Sequence, residues 1–153
     1  FPETHRAALT QKLLLSPLGP LVAQMANRGT LASNMRRIFR PGTQPSEQLL
    51  DDFWTLMQAS DGRTLMPRLI RYIPERRRHR ERWVGALQSG DMPLKLNDGT
   101  FDPISGAHMV ARYRELVPDA DVTELERIGH YPQVEAPDAV LKAFMEFHDK
   151  LSS

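Results

Sequence analysis

Two stretches in the second half of the chain decide the fold: "PLKLNDGTFDPISG" at residues 93–106 and "DVTELERIGHYPQVEAP" at residues 121–137. Each begins with a strand-like segment and continues into a loop that contains Gly and Pro. Between them, "HMVARYRELV" at residues 108–117 has apolar side chains at helical spacing. A strand, a helix and a second strand within about 35 residues are typical of a βαβ unit. The sequence therefore predicts an α/β fold with two neighbouring parallel strands.

A carboxylate and an imidazole follow the two predicted strands. Asp102 lies just after the first strand, and His130 lies just after the second, 28 residues later. Because the carboxyl ends of adjacent parallel strands meet at one edge of a sheet, we expect both side chains to lie close together. An Asp that accepts the Nδ1–H of a His fixes its tautomer and stabilises the imidazolium. We predict that Asp102 and His130 are the acid and the base of a catalytic triad.

Other polar residues near this pair need separate interpretations. Asp98 lies at the end of the first strand candidate and competes with Asp102 as the acid. Lys95 and Asn97 make the same strand unusually polar, since a strand buried in a parallel sheet is normally apolar. Asp102 is preferred because the proline after it and its distance from His130 suit a loop. Glu135 is expected to anchor its own loop by hydrogen bonds rather than to take part in the chemistry.

These residues give the second half a resemblance to the carboxyl-terminal part of α/β-hydrolase-fold enzymes. The segments "GTFDPISG" and "IGHYPQVEAPDAVLKAFMEFH" are similar to loops in the branch of haloalkane dehalogenases and epoxide hydrolases. In that branch a Gly-Asp/Pro loop carries the acid, and a Gly-His-x-x-x-x-Glu-x-Pro loop carries the base. The resemblance implies a helical lid, or cap, at residues 1–88. It also implies a strand–helix–strand–helix part of the core at residues 89–153.

The chain contains no recognisable nucleophile. Neither G-x-S-x-G nor G-x-D-x-G occurs in the sequence. The resemblance places the nucleophile upstream of the lid, together with most of the sheet, and it leaves open an acid on an earlier strand instead of Asp102. We therefore expect these 153 residues to be a fragment that is inactive alone. The missing amino-terminal core is its expected intramolecular or crystal partner.

The resemblance implies a hydrolase that acts on a hydrophobic small molecule without a cofactor or metal. A serine nucleophile implies hydrolysis of an ester or related acyl group, and an aspartate nucleophile implies attack on an epoxide or carbon–halogen bond. Apolar lid residues suit such a substrate, and they suit plain helix packing equally well. These residues are Trp54, Met57, Met66, Leu69, Tyr72 and Trp83. His5, near the lid entrance, is expected to be an exposed residue rather than part of a pocket.

Composition narrows the function classes further. The absence of cysteine excludes disulfides and cysteine-ligated zinc, and it fits a reducing, cytoplasmic location. A formal net charge of +1 gives no general attraction to nucleic acid or to an anionic membrane. No apolar run approaches the roughly 18 residues of a membrane span. The five histidines include no pair at the i, i+4 spacing of a metal site. We expect no nucleic acid partner, no membrane span and no metal.

Helical periodicity runs through the first 88 residues and returns at the end of the chain. Residues 21–39 are predicted as one helix. Residues 61–87 are predicted as one or two short helices, which Pro67 and Pro74 interrupt. A further helix is predicted to start at Pro45 and to bury Leu49, Phe53, Leu56 and Met57. The closing helix is predicted to start at Pro137 and to bury Val140, Leu141, Phe144, Phe147 and Leu151.

A second hypothesis is a non-catalytic binding module. "ERRRHRER" at residues 75–82 holds five arginines, which form either a solvated helix face or a contact surface for an anionic partner. The interspersed Glu75 and Glu81, and the lack of aromatic stacking residues, favour the solvated face. The alternatives are thus a helical adaptor that binds through this Arg-rich helix, or a hydrolase relative that has lost catalysis.

Overall fold

The computed structural model describes residues 1–5 and 7–152; Arg6, Ser153 and the side chain of Ser60 lie outside the described part. The helices are Leu9–Leu15 (α1), Gly19–Gln24 (α2), Arg28–Ile38 (α3), Glu47–Gln58 (α4), Gly62–Leu69 (α5), Tyr72–Arg78 (α6), Arg80–Gln88 (α7), Ala107–Leu116 (α8), Pro132–Glu135 (α9) and Pro137–Leu151 (α10). A 3₁₀ turn, Ala59–Asp61, leads into α5. The strands are Lys95–Gly99 (β1) and Asp121–Leu125 (β2). Within this part of the chain, no helix has both the length and the apolar character needed to cross a bilayer.

The two strands pair in parallel, as the strand–helix–strand pattern predicts. Lys95 lies opposite Asp121, and the register continues to Gly99 opposite Leu125. The polar character of β1 has a partial explanation, because Lys95 Nζ lies 2.7 Å from Asp121 Oδ1 across the two strands. The ion pair compensates for the burial of the lysine. The crossover through α8 brings the carboxyl ends of β1 and β2 to the same edge.

The predicted single helix over residues 21–39 is wrong, because a capping box at Asn27 starts a new helix. The Thr30 backbone N–H donates to Asn27 Oδ1, and the Asn27 N–H donates to Thr30 Oγ1, each at 3.0 Å. These reciprocal bonds satisfy donors that have no partner within α3. The chain therefore forms α2 and α3 with a break between them.

Residues 61–87 also differ from the prediction, since they form three helices and the prolines do not separate them. Pro74 lies in the first turn of α6, where its missing N–H removes no bond within the helix. Pro67 lies inside α5 at the cost of one backbone donor. The helix that was predicted to start at Pro45 begins at Glu47 instead, because Ser46 Oγ accepts from the Leu49 N–H and caps it.

A core cluster joins the helical half to the second half of the chain. Its buried members come from α3, from α4 and from the residue that follows α3: Ala32, Met35, Leu50 and Phe39. Tyr131, from the loop after β2, packs against this cluster. Its ring centroid lies 5.4 Å from that of Phe39 and 5.8 Å from that of Phe53. The segment that carries His130 is thus fixed to the helical half by aromatic packing.

Two predicted apolar faces are only partly buried. On α4, Leu56 is 70% exposed, and the fully buried residue is Leu50, in the first half of the helix. On α10, Phe144 is 50% exposed, and Leu141 and Leu151 are also exposed, whereas Ala143 is buried. The amphipathic patterns therefore identify helices correctly, but the described residues do not cover the whole of either face.

We predict that Leu50→Ala destabilises the protein by about 2–5 kcal/mol, because it removes a fully buried side chain and leaves a cavity. Leu56→Ala in the same helix is the matched control, and we expect a change within about 0.5 kcal/mol. Urea unfolding followed by circular dichroism measures both free energies of unfolding. Equal losses in the two variants would contradict the assigned core.

Candidate active site

The side chains of Asp102 and His130 meet at the carboxyl ends of β1 and β2. His130 Nδ1 lies 2.8 Å from Asp102 Oδ2, a normal hydrogen-bond distance. Only 4% of the Asp102 side chain is exposed, against 31% for His130. The carboxylate is therefore shielded from water, while the imidazole retains access to the surface.

Asp102 is held in a turn that supplies several donors to its carboxylate. The Ile104 N–H donates to Oδ1 at 2.7 Å, and the Ser105 N–H donates to Oδ2 at 3.1 Å. Ser105 Oγ donates to Oδ2 at 2.7 Å. Sequence reasoning missed Ser105, although an Asp followed three residues later by Ser is a known signal for such side-chain-to-backbone turns.

Burial and hydrogen bonding act on Asp102 in opposite directions. Burial raises its pKa, but the hydrogen bonds from His130, Ser105 and the Ile104 N–H outweigh it, so that the pKa is lowered from its ordinary value. The carboxyl group is therefore an anion at neutral pH. An anionic Asp102 can only accept, so Nδ1 of His130 donates the proton. In the neutral imidazole this leaves Nε2 unprotonated and able to accept a proton.

The backbone of the His130 loop lies close to the end of α3 and to the loop that follows β1. The His130 N–H donates to the Ile38 carbonyl at 2.9 Å, and the Phe101 N–H donates to the Ile128 carbonyl at 2.9 Å. A Cβ on Gly99 would lie 2.2 Å from the Gly129 carbonyl oxygen, so glycine is required where the two loops pass. Within this loop, residues 132–135 form α9, a helix that the sequence-based loop prediction missed.

Asp98, the competing acid, makes no hydrogen bond to His130 among the described residues, whereas Asp102 does. Its side chain is buried, and Oδ2 has no hydrogen-bond partner among the described residues. Burial is the largest cause of a raised pKa, and the negative charges of Asp102 and Glu124 act in the same direction; against an opposite effect of His130, these causes bring the pKa to about 7. The geometry therefore favours Asp102 as the partner of His130.

Glu135 anchors the loop of His130, as expected from the sequence. Its carboxylate accepts from the Gly129 N–H at 3.0 Å and from the Tyr131 N–H at 3.2 Å. It also accepts from the Arg40 N–H at 3.1 Å and from Thr43 Oγ1. The last two bonds link the loop to the connection between α3 and α4, a contact that the sequence did not predict.

Other candidate residues lie in two pockets that do not include Asp102 or His130. Trp83 lines an apolar cavity of about 260 Å³ with Met109 and Tyr113, between α7 and α8. His5, expected to be an exposed residue, is half-buried and lines an open polar depression with three arginines. Among the described residues, no group of three or more histidines and carboxylates could hold a metal ion.

Comparisons with known proteins give relatives in both animals and bacteria. The chain is 38% identical over 151 residues to the mesoderm-specific transcript protein of Mus musculus. This alignment covers 96% of the chain and 45% of that protein. It is 42% identical over 141 residues to the putative hydrolase LipZ of Mycobacterium tuberculosis, and this alignment covers 91% of the chain and 49% of that protein. The chain thus spans about half the length of the curated relatives it matches. No family model matches the chain.

A solved structure shares the fold. The crystal structure of a His-tagged serine hydrolase involved in carbazole degradation, the CarC enzyme, matches with a TM-score of 0.62 at 15% sequence identity. The match covers 80% of this chain and 47% of that chain. The predicted fold class is therefore confirmed: the chain has an α/β architecture that corresponds to part of an α/β-hydrolase fold.

Asp98 gives a pH dependence of stability that differs from that of Asp102. The folded protein holds the Asp98 proton more tightly than the unfolded chain, because the pKa rises from 3.8 to about 7. The free energy of unfolding should therefore fall as pH rises from about 4 to about 7. Asp102, whose pKa is lowered, contributes stability that is lost only as pH falls below its ordinary value of 3.8.

We predict that Asp98→Asn reduces this slope, so that the variant gains stability relative to the original protein above pH 7 and loses that advantage near pH 4. Urea unfolding at a series of pH values measures the slope. Glu126→Gln, on an exposed residue, is the matched control and should leave the slope unchanged. Parallel curves for Asp98→Asn and the original protein would contradict the assigned pKa.

Proposed function

We propose that this chain supplies the acid and the base of a nucleophile–His–Asp triad in an α/β-fold hydrolase. His130 acts as the general base, and Asp102 orients it and stabilises its protonated form. The observation that carries the proposal is the 2.8 Å bond between Asp102 Oδ2 and His130 Nδ1, at the strand edge where such sites form. The hydrolase name of one relative supports the same class of reaction.

The proposed nucleophile lies upstream of these 153 residues, since the sequence contains neither nucleophile motif. Within the described residues, no hydrogen bond involves His130 Nε2, which leaves that nitrogen able to face a nucleophile from outside. With a serine nucleophile, His130 takes the hydroxyl proton and an acyl-enzyme forms. With an aspartate nucleophile, His130 activates the water that hydrolyses the alkyl-enzyme ester. The chain alone is inactive under either scheme.

We assign residues 1–88 to the lid and residues 89–153 to the carboxyl-terminal part of the core, as in haloalkane dehalogenase- and epoxide hydrolase-like enzymes. The exposed apolar residues of α10 and the two-stranded sheet support a partner surface contributed by further core structure. The exposed apolar lid residues Leu69, Tyr72 and Trp83 support a hydrophobic small-molecule substrate. The reaction in this proposal uses no cofactor and no metal.

A non-catalytic role is the second candidate, because the mesoderm-specific transcript relatives have names that state no activity. In the adaptor form of this candidate, the contact surface is the Arg-rich segment at residues 75–82, which is not the single helix expected from the sequence, because α6 ends at Arg78 and α7 begins at Arg80. Two of its five arginines are already engaged within the chain: Arg80 pairs with Glu3, and the Arg76 guanidinium lies 4.5 Å from the Tyr72 ring centroid. These contacts favour a structural use of the arginines over a free anion-binding face.

We predict that His130→Ala lowers kcat/KM of the full-length protein by about 10⁴-fold or more, because the general base is lost. Asp102→Asn should lower it by about 10³- to 10⁴-fold, because an amide NH₂ in place of Oδ2 donates to Nδ1 and favours the wrong tautomer. A suitable panel is p-nitrophenyl butyrate, styrene oxide and 1-bromobutane, followed by nitrophenolate, diol and bromide release. The panel also identifies which nucleophile chemistry operates.

His148→Ala is the control for this experiment, since His148 is an exposed residue of α10. We expect it to retain the turnover of the original protein. If His130→Ala and Asp102→Asn also retained turnover, the triad assignment would be wrong. If the original protein turned over no member of the panel, the non-catalytic candidate would gain.

A further inference from the structure

Glu135 contacts both of the chain segments that meet beside His130. Two of its four donors, the N–H groups of Gly129 and Tyr131, belong to the residues immediately before and after His130. The other two, the Arg40 N–H and Thr43 Oγ1, belong to the connection between α3 and α4 in the helical half. One carboxylate therefore joins the His130 loop to a segment that lies more than ninety residues before Glu135 in the sequence.

The backbone on both sides of His130 is fixed by these contacts. The His130 N–H itself donates to Ile38 at 2.9 Å, so three consecutive backbone N–H groups have defined partners. The segments also approach each other closely at Gly129. A Cβ on Gly129 would lie 2.5 Å from the Ile38 carbonyl oxygen and 2.7 Å from Glu135 Oε1. We therefore expect a displacement of the α3–α4 connection to move the backbone of His130 as well.

We propose that Glu135 is a positioning residue that couples the placement of the α3–α4 connection to the orientation of the His130 imidazole. This inference rests on the proposed function, because it assigns a catalytic consequence to the position of His130. The chemistry requires a carboxylate: all four contacts are donors, and an anion accepts from each of them. A glutamine at this position would turn one acceptor oxygen into an NH₂ group that faces donors.

The first test is Glu135→Gln in the full-length protein. We expect kcat to fall by about tenfold to a hundredfold, because a small misplacement of a catalytic group has effects of this size. KM for p-nitrophenyl butyrate, or for whichever panel substrate is turned over, should stay within about twofold, since Glu135 touches no proposed substrate group. Amide hydrogen exchange at Gly129 and Tyr131 should become faster, because both N–H groups lose an anionic acceptor.

Glu126→Gln is the matched control, with the same chemical change on an exposed residue four positions before His130. It should alter neither kcat nor the exchange at Gly129 and Tyr131. Thr43→Val is the second variant, in case Glu135→Gln does not fold. It removes one donor from the α3–α4 connection and leaves the contacts of Gly129 and Tyr131 intact. We expect it to lower kcat by about threefold to tenfold with KM unchanged.

The two possible failures are distinguishable. If Glu135→Gln and Thr43→Val retained full kcat while His130→Ala abolished turnover, the coupling would be overturned and the proposed function would stand. A raised KM with unchanged kcat would also overturn it, because that pattern indicates a binding role. If His130→Ala itself retained turnover, the proposed function would fail, and the inference would fail with it.

Discussion

The candidate site depends on one constraint: two loops that follow different strands must meet closely enough for Asp102 to bond His130. The parallel pairing of β1 and β2 brings both loops to one edge of the sheet. Gly99 then lets the second loop pass against the first, and the Phe101 N–H bonds the Ile128 carbonyl between them. The turn at Asp102 adds donors from Ile104 and Ser105 that keep its carboxylate ionised and correctly oriented.

The helical half contributes to the site through the backbone and through packing rather than through a reacting group. Ile38 accepts from the His130 N–H, and Tyr131 packs between Phe39 and Phe53. Glu135 adds the charged link between these segments. The base therefore lies in a loop that is held from both sides, which limits the conformations its imidazole can adopt and favours one hydrogen-bonding partner.

Local patterns in the sequence were sufficient to predict the βαβ unit and the spacing of Asp102 and His130, because both follow from strand and helix periodicity over adjacent segments. They were insufficient for contacts across the chain. No local pattern relates Glu135 to Thr43, and none distinguishes Leu50 as the buried residue of α4 from the exposed Leu56. The break at Asn27 was predictable in principle, since its capping box with Thr30 is a local motif. The cavities lined by His5 and Trp83 depend on how α7 and α8 pack, which periodicity does not specify.

The tautomer of the neutral His130 imidazole tests the central claim most directly. Nitrogen-15 NMR of the full-length protein, labelled at histidine and assigned by comparison with a His130 variant, reports which ring nitrogen carries the proton in the neutral form. The Asp102 bond predicts a proton on Nδ1, deshielded by the carboxylate, and an unprotonated Nε2. A proton on Nε2 with a bare Nδ1 would contradict the assignment of Asp102 and His130 as the acid–base pair.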